Sequence, residues 1–363
     1  TGPGSVMHRR YLSLTAGGSV RLSDPLTLTL DDRPTMNSPI PSLPAGHFSY
    51  SGRRVCVTGG AGFIGSHLVD ALRDLGADVA VLDDFSNGRA ENLGDTSSIR
   101  LVRGSILDPT ALAEALDGAT TVFHQAALGS VPASVEDPLS YQRVNADGTL
   151  AVLEHCRAHG IDRIVYAASS SAYGDQPDSP KVEGMVPDPL SPYAASKLAG
   201  EHLLRTYVHC YGMSGVSLRY FNIFGPRQRA DSPYAAVIPR FADALRAGER
   251  PVIFGTGEQT RDFTYVANAV WANLLAGSAA TPLRGESLNI ACGDAISLLD
   301  LLSEMAGALE TPSDARFEPE RAGDVMHSRA DISSARRVLG FEPIVGFADG
   351  LRRTLEPEPI TDR

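Results

Sequence analysis

Tyr193 and Lys197 stand in a Tyr-x-x-x-Lys pattern, which could remove a proton from an alcohol. Four residues apart on a helix, the two side chains lie on one face. A tyrosine that acts as a base at neutral pH needs its pKa lowered from about 10 to about 7, which corresponds to about 4 kcal/mol. An ammonium group about 4 Å away, at an effective dielectric constant of about 20, supplies a similar energy. We predict that Lys197 holds Tyr193 as a phenolate.

Hydroxyl groups are expected close to this pair. A serine run that begins with Ser169 and Ser170 follows a predicted strand at residues 164–168, and open α/β sheets bind ligands at the carboxyl ends of their strands. A serine hydroxyl there can share the proton of a substrate oxygen with the tyrosine. An isolated Tyr-x-x-x-Lys pattern is usually only a surface feature. Together with the serine hydroxyls and the glycine-rich turn described next, the pattern predicts oxidation of an alcohol, with the hydride passing to a cofactor.

A glycine-rich turn is the candidate cofactor site. Gly59, Gly62 and Gly65 follow a predicted strand at residues 55–58 and precede a predicted helix that begins near Ser66. Side chains at these positions would block the approach of a pyrophosphate, whose charge the helix N-terminus meets. An ordinary tight turn also uses glycines, so the motif needs a second signal.

That second signal is a pair of carboxylates after the next predicted strand, at residues 79–82. Asp83 stands where a carboxylate hydrogen-bonds the adenosine ribose hydroxyls of a dinucleotide. Asp84 follows it, and two carboxylates would repel a 2′-phosphate. The sequence therefore predicts NAD rather than NADP. The positive charge of the oxidised nicotinamide would help Lys197 to lower the pKa of Tyr193.

The elements that position these residues alternate along the chain. From Arg54 onward, short β-branched runs alternate with helical patterns, which predicts a Rossmann-type, doubly wound α/β fold with a parallel sheet. We predict a NAD-binding domain at residues 53–220. A smaller α/β domain at residues 221–357 would bind mainly the substrate and return some strands to the first sheet. Prolines at residues 175–192 predict an extended loop over a site.

Composition narrows the class of partner. The chain has 363 residues, with 32 Lys and Arg against 43 Asp and Glu and a formal charge of −11. Such a surface disfavours nucleic acid and anionic membranes, and we find no apolar run long enough to span a membrane. We interpret residues 1–52 as vector-derived sequence and a native extension, with Met36 as a plausible start. We expect a cytoplasmic protein with a small-molecule partner.

The chain has four cysteines, spaced too widely for a zinc site and placed in apolar runs. We predict buried thiols in a reducing compartment rather than disulfides. The four are Cys56, Cys156, Cys210 and Cys292.

From Arg54 to about Leu355 the sequence resembles the extended short-chain dehydrogenase/reductase family, and within it the UDP-hexose 4-epimerases. The glycine turn, the Ser-Ser-Ser-Ala-Tyr-Gly run and the Tyr-x-x-x-Lys pattern carry the resemblance. It implies that Tyr193 is the base, Lys197 its partner and Ser169 the catalytic hydroxyl, with NAD bound and no metal. The implied cofactor contacts are Gly59, Gly62, Phe63, Ile64, Gly65, Asp83, Asn87, Gly88, Ser105, Ile106, Gln125, Ala126, Ala127, Asn145, Tyr193, Lys197 and Tyr220. Ser105 departs from the aspartate that most relatives carry near the adenine, so adenine recognition is weaker or uses the backbone of Ile106.

The resemblance also implies a site for a nucleotide sugar. Arg261 and Arg321 would clamp the pyrophosphate, since guanidinium forks suit phosphate oxygens, although Arg261 could instead pair with Asp262 on the surface. Segments 234–239 and 252–255 would form the uridine pocket. The implied substrate contacts are Ser130, Ser169, Ser170, Tyr193, Asn222, Ala236, Val237, Phe254, Arg261, Arg321, Asp324 and Ser328.

Ser170 and Ser171 separate three reactions that share a first step. Sugar 4,6-dehydratases place an Asp-Glu pair at such positions, and nucleotide-glucuronate decarboxylases keep a Glu. Without a carboxylate for a second chemical step, oxidation and return of the hydride remain. The resemblance thus implies a homodimeric UDP-sugar 4-epimerase. A redox-sensing binding protein is the alternative from another class, but such proteins typically lose the Tyr or the Lys, and Tyr193 and Lys197 are both present.

Ser328 is the residue from which we predict the 2-substituent of the sugar. Epimerases restricted to UDP-glucose and UDP-galactose resemble one another in carrying tyrosine at this position, and a serine frees the space that an acetamido group fills. We therefore expect UDP-N-acetylglucosamine and UDP-N-acetylgalactosamine, with UDP-glucose and UDP-galactose also open. A loop serine that never reaches the sugar is the alternative. In that case the chain is a UDP-glucose or UDP-glucuronate 4-epimerase, or another nucleotide-sugar enzyme.

Overall fold

A computed structural model describes residues 49–230, 236–320 and 325–356 of the chain. Its central sheet has seven parallel strands: β1 (Arg54–Thr58), β2 (Asp78–Asp83), β3 (Ile99–Arg103), β4 (Thr121–His124), β5 (Arg163–Ser169), β6 (Ser214–Tyr220) and β11 (Arg284–Ile290). Their order across the sheet is β11-β6-β5-β4-β1-β2-β3. The strand order reverses between β1 and β4, which is where open α/β sheets form a ligand crevice.

Helices cover both faces of this sheet, as the strands require. Val55 and Val57 of β1 point into one core and Cys56 points into the other, because alternate residues of a strand face opposite sides. On one side pack α1 (Phe63–Asp74) and α8 (Val266–Ser278). The other side carries α2 (Pro109–Leu116), α5 (Gly148–Ala158) and α6 (Pro192–Tyr211). Between β4 and α5 lie α3 (Val131–Glu136), α4 (Pro138–Tyr141) and a π-helical stretch, Gln142–Asp147.

A third core belongs to shorter elements in the second half of the chain and includes the buried side chains of Phe241 and Leu301. Its helices are α7 (Val237–Arg246), α9 (Leu298–Ala308) and α11 (Phe347–Leu355), and α10 (Ser333–Leu339) packs nearer the large sheet. The short strands are β7 (Ile223–Phe224), β8 (Val252–Phe254), β9 (Thr260–Arg261), β10 (Thr264–Tyr265), β12 (Ile296–Ser297), β13 (Arg316–Glu318) and β14 (His327–Ser328). The strand β11 follows these elements in sequence yet pairs with β6 in the large sheet.

The predicted doubly wound parallel sheet is confirmed, with small differences at the ends of elements. The helix after the glycine turn begins at Phe63, before the expected Ser66, because Gly62 already serves as its N-cap. Asp83 is the last residue of β2 and Ser169 the last of β5. The domain division at residue 220 stays a prediction, and residues 1–48 lie outside the described ranges.

The prediction of free thiols is confirmed, but the prediction that all four are buried was wrong at Cys210 and holds only in part at Cys292. All four thiols are free, and Cys56 and Cys156 are buried, but Cys210 is exposed and Cys292 is partly exposed. Cys210 lies in the last turn of α6, where residues 209–212 all extend beyond the core. None of the helices in the described ranges is both long and apolar enough to cross a membrane.

Candidate active site

The glycine turn between β1 and α1 forms a cradle that only glycine allows. Gly59 has φ +69°, and a Cβ there would lie 2.7 Å from Cα of Ala126. A Cβ on Gly65 would lie 2.1 Å from the carbonyl oxygen of Gly59. The N-cap Gly62 makes no side-chain hydrogen bond to the start of α1. The turn therefore offers backbone N–H groups at a helix N-terminus to an anion.

Asp83 lies beside this turn at the end of β2. Its carboxylate accepts hydrogen bonds from the N–H groups of Ala61 and Phe85, each at 2.8 Å. Burial raises its pKa, and these two bonds oppose the rise. A Cβ on Gly88 would come within 2.8 Å of Asp83 Oδ1, so the next loop packs directly against the carboxylate. Both oxygens keep lone pairs for ribose hydroxyls.

The loop beyond Asp83 is tied to the second half of the chain. Arg229 donates from Nη1 to the carbonyl oxygen and to Oδ1 of Asn87, at 3.3 and 3.1 Å. Ser105 and Ile106 follow β3 at the same edge of the sheet, and the Ser105 hydroxyl accepts from the N–H of Leu107. A role for Arg229 could not be predicted, because nothing local in the chain signals a contact with Asn87.

Gln125 begins the turn after β4, on the other side of the switch point. Its amide donates to Asn273 Oδ1 at 3.0 Å and accepts from the Tyr220 hydroxyl at 3.3 Å. Asn273 donates in turn to the Tyr220 oxygen at 2.6 Å. The structure therefore brings together two predicted cofactor contacts, Gln125 and Tyr220, through a fully buried asparagine of α8. No local pattern signals a role for Asn273, because it lies in an apolar helix.

The predicted catalytic residues meet where β5 ends and α6 begins. Tyr193 lies in the first turn of α6, which Ser191 caps and Pro192 opens. The ring of Tyr141 stands edge-on to the ring of Tyr193, with 6.4 Å between the centroids. Ser169 accepts hydrogen bonds from the N–H and hydroxyl of Ser171, the latter at 2.8 Å.

Protonation of Tyr193 differs from the expectation. Burial raises its pKa, and a hydrogen bond with Ser169 only partly opposes the rise. Lys197 is 3% exposed, and burial lowers the pKa of its amine to about 7, against an opposing influence of Glu201. Its Nζ lies 4.6 Å from the ring centroid of Tyr166. The protein groups alone therefore do not hold Tyr193 as a phenolate.

A buried ion pair lies one helical turn beyond Lys197. Glu201 receives two hydrogen bonds from Arg219 Nε and Nη2, at 2.9 and 2.8 Å, and one from the Ser287 hydroxyl at 2.8 Å. The Arg219 guanidinium carbon also lies 4.7 Å from the ring centroid of Tyr173. The ion pair joins α6 to β6, and the bond from Ser287 joins α6 to β11.

Asp262 organises the predicted nucleotide-sugar side. It is fully buried, and its carboxylate accepts from the N–H groups of Cys292, Gly293 and Ala330 at 3.0 to 3.1 Å. Burial raises its pKa to about 7, and the three bonds oppose the rise. Because Asp262 is buried in this way, the alternative of a surface pair with Arg261 does not describe the structure.

Ser328 and Arg261 lie side by side. The strand β14 runs parallel to β9, and the pairing register sets Ser328 opposite Arg261. Arg261 Nη1 donates to the carbonyl oxygen of Thr260 at 2.9 Å. Asn222 donates from Nδ2 to the carbonyl oxygen of Asp262 at 3.2 Å, which brings the third predicted contact to the same place.

The other predicted substrate contacts are spread over three elements. Ser130 caps α3, Ala236 is the N-cap of α7 and Val237 its first residue, and Phe254 ends β8. The guanidinium carbon of Arg240, in α7, lies 5.9 Å from the Phe254 ring centroid, which brings the two parts of the predicted uridine pocket together. Arg321 and Asp324, with positions 234 and 235, lie outside the described residues. Within the described ranges, no group of three or more His, Cys, Asp or Glu side chains could hold a metal ion.

A family model described as the NAD dependent epimerase/dehydratase family matches residues 55–291. The chain belongs to this family. The UDP-glucose 4-epimerase of Mycolicibacterium smegmatis is 40% identical over 310 residues, which covers 84% of this chain and 97% of the relative.

Solved structures of the family extend the comparison. A UDP-N-acetylglucosamine 4-epimerase from Methanobrevibacter ruminantium, in complex with UDP-N-acetylmuramic acid, is 40% identical with a TM-score of 0.80, covering 84% of this chain and 97% of that one. A UDP-glucuronic acid 4-epimerase from Bacillus cereus, with UDP-glucuronic acid and NAD, is 32% identical with a TM-score of 0.77, covering 83% and 98%. The relatives thus differ in the sugar named.

NAD is the cofactor of this epimerase/dehydratase family, and the residues present fit it. The glycine cradle, the free N-terminus of α1 and the carboxylate of Asp83 stand together at the switch point. These three features would hold the pyrophosphate and the adenosine ribose. The turn that begins at Gln125 packs directly against this cradle, at Gly59.

Proposed function

We propose that the protein is an isomerase, a NAD-dependent 4-epimerase of UDP-sugars. The observation that carries the proposal is the cluster of Tyr193, Ser169 and Lys197 at the carboxyl edge of the sheet, the same edge at which the glycine cradle lies. Membership of a family with several UDP-sugar 4-epimerases supports it.

In the proposed reaction, Tyr193 takes the proton of the 4-hydroxyl and later returns it to the same oxygen. Ser169 hydrogen-bonds that oxygen and fixes its position. Lys197, kept out of water, adds positive charge near Tyr193 when it is protonated, and this favours the phenolate. NAD, when bound, supplies the acceptor and donor for the hydride, and its positive charge supplies part of the pKa lowering that the protein groups lack.

The serines after β5 favour epimerisation over a second chemical step. Ser170 and Ser171 stand in a short helical turn, Ser170–Tyr173, directly next to the catalytic Ser169. Elimination or decarboxylation needs an acid or base beside the sugar ring, and these hydroxyls are poor proton carriers at neutral pH. Oxidation at C4 followed by return to the opposite face needs no such group.

For the sugar, we infer UDP-N-acetylglucosamine and UDP-N-acetylgalactosamine. The pairing of Ser328 with Arg261 supports this inference, because a small side chain beside a pyrophosphate-binding arginine leaves room for a 2-acetamido group. UDP-glucose and UDP-galactose remain the second candidate pair, and UDP-glucuronate the third, since relatives acting on each sugar share the fold.

Product analysis tests the proposal. The protein is incubated separately with UDP-N-acetylglucosamine, UDP-glucose and UDP-glucuronate, and the sugars are separated after hydrolysis. We expect the galacto product from the first substrate at the highest kcat/KM, and none from the Tyr193→Phe variant. A dehydrated or decarboxylated product would contradict the proposal and would show that the protein catalyses another reaction of the family.

We also infer a cytoplasmic homodimer. Four free thiols, with Cys210 exposed, fit a reducing compartment. Leu150 is 38% exposed in a groove between α5, the π-helical stretch and α6, where a second copy could cover it. Sedimentation of the wild type and of Leu150→Glu tests the dimer, and a wild-type monomer would contradict it.

A further inference from the structure

A line of buried hydrogen bonds runs from the glycine turn to the catalytic helix. Each side chain in it is at most 2% exposed. The members are Thr58, His124, Asn145, Thr149 and Ser196. His124, at the end of β4, is the centre: its Nδ1 lies 2.7 Å from the Thr58 hydroxyl oxygen, and its Nε2 lies 2.9 Å from the Thr149 hydroxyl oxygen.

The direction of these bonds follows from the donors available. The Thr149 hydroxyl lies 2.6 Å from the carbonyl oxygen of Asn145, and a carbonyl cannot donate, so the hydroxyl donates there. Thr149 must then accept from His124, which places the imidazole proton on Nε2. The bare Nδ1 accepts from Thr58, whose oxygen accepts from the N–H of Ala126 at 3.3 Å. Burial and the nearby Lys197 lower the pKa of His124 to about 3, so the ring stays neutral.

Asn145 connects this line to both reacting sides of the site. Its side chain accepts from the N–H of Leu128 at 2.8 Å and donates to the carbonyl oxygen of Leu128 at 3.0 Å. It also donates to the Ser196 hydroxyl at 3.0 Å, which in turn donates to the carbonyl oxygen of Tyr193 at 2.8 Å. The turn after β4 and the first turn of α6 are therefore joined by directed bonds.

We propose that His124 is a positioning residue, which through Thr58 and Thr149 fixes the turn at residues 125–128 relative to the backbone of Tyr193. The inference rests on the proposed function, in which proton and hydride leave the same C–O group. Those two transfers require the cofactor side and the tyrosine side of the site to keep one relative geometry. A fully satisfied buried network provides this rigidity.

A double-mutant cycle tests the coupling. Thr58→Val and Thr149→Val remove one hydroxyl each at nearly constant volume. We expect each to lower kcat about five- to tenfold, as the loss of one buried hydrogen bond allows, with KM for the UDP-sugar changed less than about twofold. Because both act through His124, the double variant should lose no more than about twofold beyond either single. Thr264→Val, at a fully buried threonine outside this network, is the matched control.

Two measurements test the hydrogen bonds of this network without measuring enzyme activity. In nucleotide-free protein labelled with ¹⁵N-histidine, the nitrogen resonances of His124, assigned by His124→Gln, should show a neutral ring with its proton on Nε2. Hydrogen exchange at the amides of Ala126 and Leu128 should be faster in Thr149→Val than in wild type, and unchanged in Thr264→Val.

The outcomes separate the two claims. A proton on Nδ1, unchanged amide exchange, or single-variant effects on kcat that multiply in the double variant would overturn the role of His124. A drop in the unfolding midpoint with kcat unchanged would likewise reduce His124 to a purely structural residue. Failure of the wild type to epimerise any UDP-sugar would instead overturn the proposed function, and the nitrogen and exchange measurements do not depend on it.

Discussion

Tyr193 carries out the proposed proton transfer, so removal of its hydroxyl group tests that role. Tyr193→Phe keeps the ring that packs against Tyr141, and therefore the fold. We expect kcat to fall by a factor on the order of 10² to 10⁴, the usual contribution of a positioned base, with NAD still bound. Tyr211→Phe, in the exposed last turn of the same helix, is the matched control. A variant that kept more than about a tenth of wild-type kcat would show that another base acts.

Lys197 links the site to the pH dependence of stability. Its pKa is lowered by burial to about 7 in the folded chain from 10.5, so between these values the unfolded chain binds more protons. Stability should therefore rise with pH across this window, by at most about 1.4 kcal/mol per pH unit.

The measurement is urea unfolding of nucleotide-free protein between about pH 7 and 9, compared with Lys197→Met. The difference in unfolding free energy between the two proteins should shift in favour of the wild type as the pH rises. Shifts from other groups cancel in this difference. Parallel curves would mean that Lys197 titrates normally in the fold.

Ser328 is the residue at which we expect the sugar to be selected. Ser328→Tyr places a phenol ring beside Arg261, where β14 meets β9, and should exclude a 2-acetamido group by steric overlap. We predict loss of UDP-N-acetylglucosamine turnover by at least about 100-fold, with UDP-glucose turnover within about threefold. Ser328→Ala is the control and should keep both activities. Equal loss of both substrates in the tyrosine variant, or of neither, would show that Ser328 does not select the sugar.

The turn between β1 and α1 depends on the close approach of two stretches of backbone, at Gly59 and Gly65. A Cβ on Gly65 would lie 2.1 Å from the carbonyl oxygen of Gly59, so Gly65→Ala must open the turn that cradles the pyrophosphate. We expect NAD affinity to fall by at least about tenfold in calorimetric titration. Gly307→Ala, in α9 with no atom near the added Cβ, should leave NAD affinity unchanged. A Gly65→Ala protein with wild-type affinity would place the pyrophosphate elsewhere.

Some of these elements could be predicted because the signal is local. The glycine spacing, the acid at the end of β2 and the Tyr-x-x-x-Lys pattern each lie within a few residues, and alternation of strands and helices gave the parallel sheet. Asn273, Arg229 and His124 could not be found in this way. Each acquires its role from a partner that is distant in sequence, as when Asn273 of α8 meets Gln125 after β4.

The pKa of Tyr193 shows a second limit of sequence reasoning. Spacing on a helix predicts that Lys197 is close, but not that burial lowers the pKa of the amine and raises that of the phenol. The exposed Cys210 has the same cause: an apolar run in sequence does not reveal that the end of α6 extends past the core. Burial is a property of the packed chain.

In the whole molecule, the large sheet carries the residues that would hold NAD, and a separate small sheet carries Arg261 and Ser328. The proposed reaction uses both, because the glycine cradle and the tyrosine lie at the carboxyl edge of the large sheet whereas β9 and β14 belong to the small one. We propose that these two parts together invert C4 of a UDP-sugar by removal and return of the same hydrogen.

Epimerisation in D₂O, followed by proton NMR of the product, shows whether the hydrogen at C4 is returned to its own carbon. We predict that UDP-N-acetylglucosamine is converted to UDP-N-acetylgalactosamine that retains protium at C4, since the hydride returns to the carbon it left while only the hydroxyl proton exchanges with solvent through Tyr193. Deuterium at C4, a deoxygenated product, or no inversion of any of the three UDP-sugars would contradict the proposed reaction.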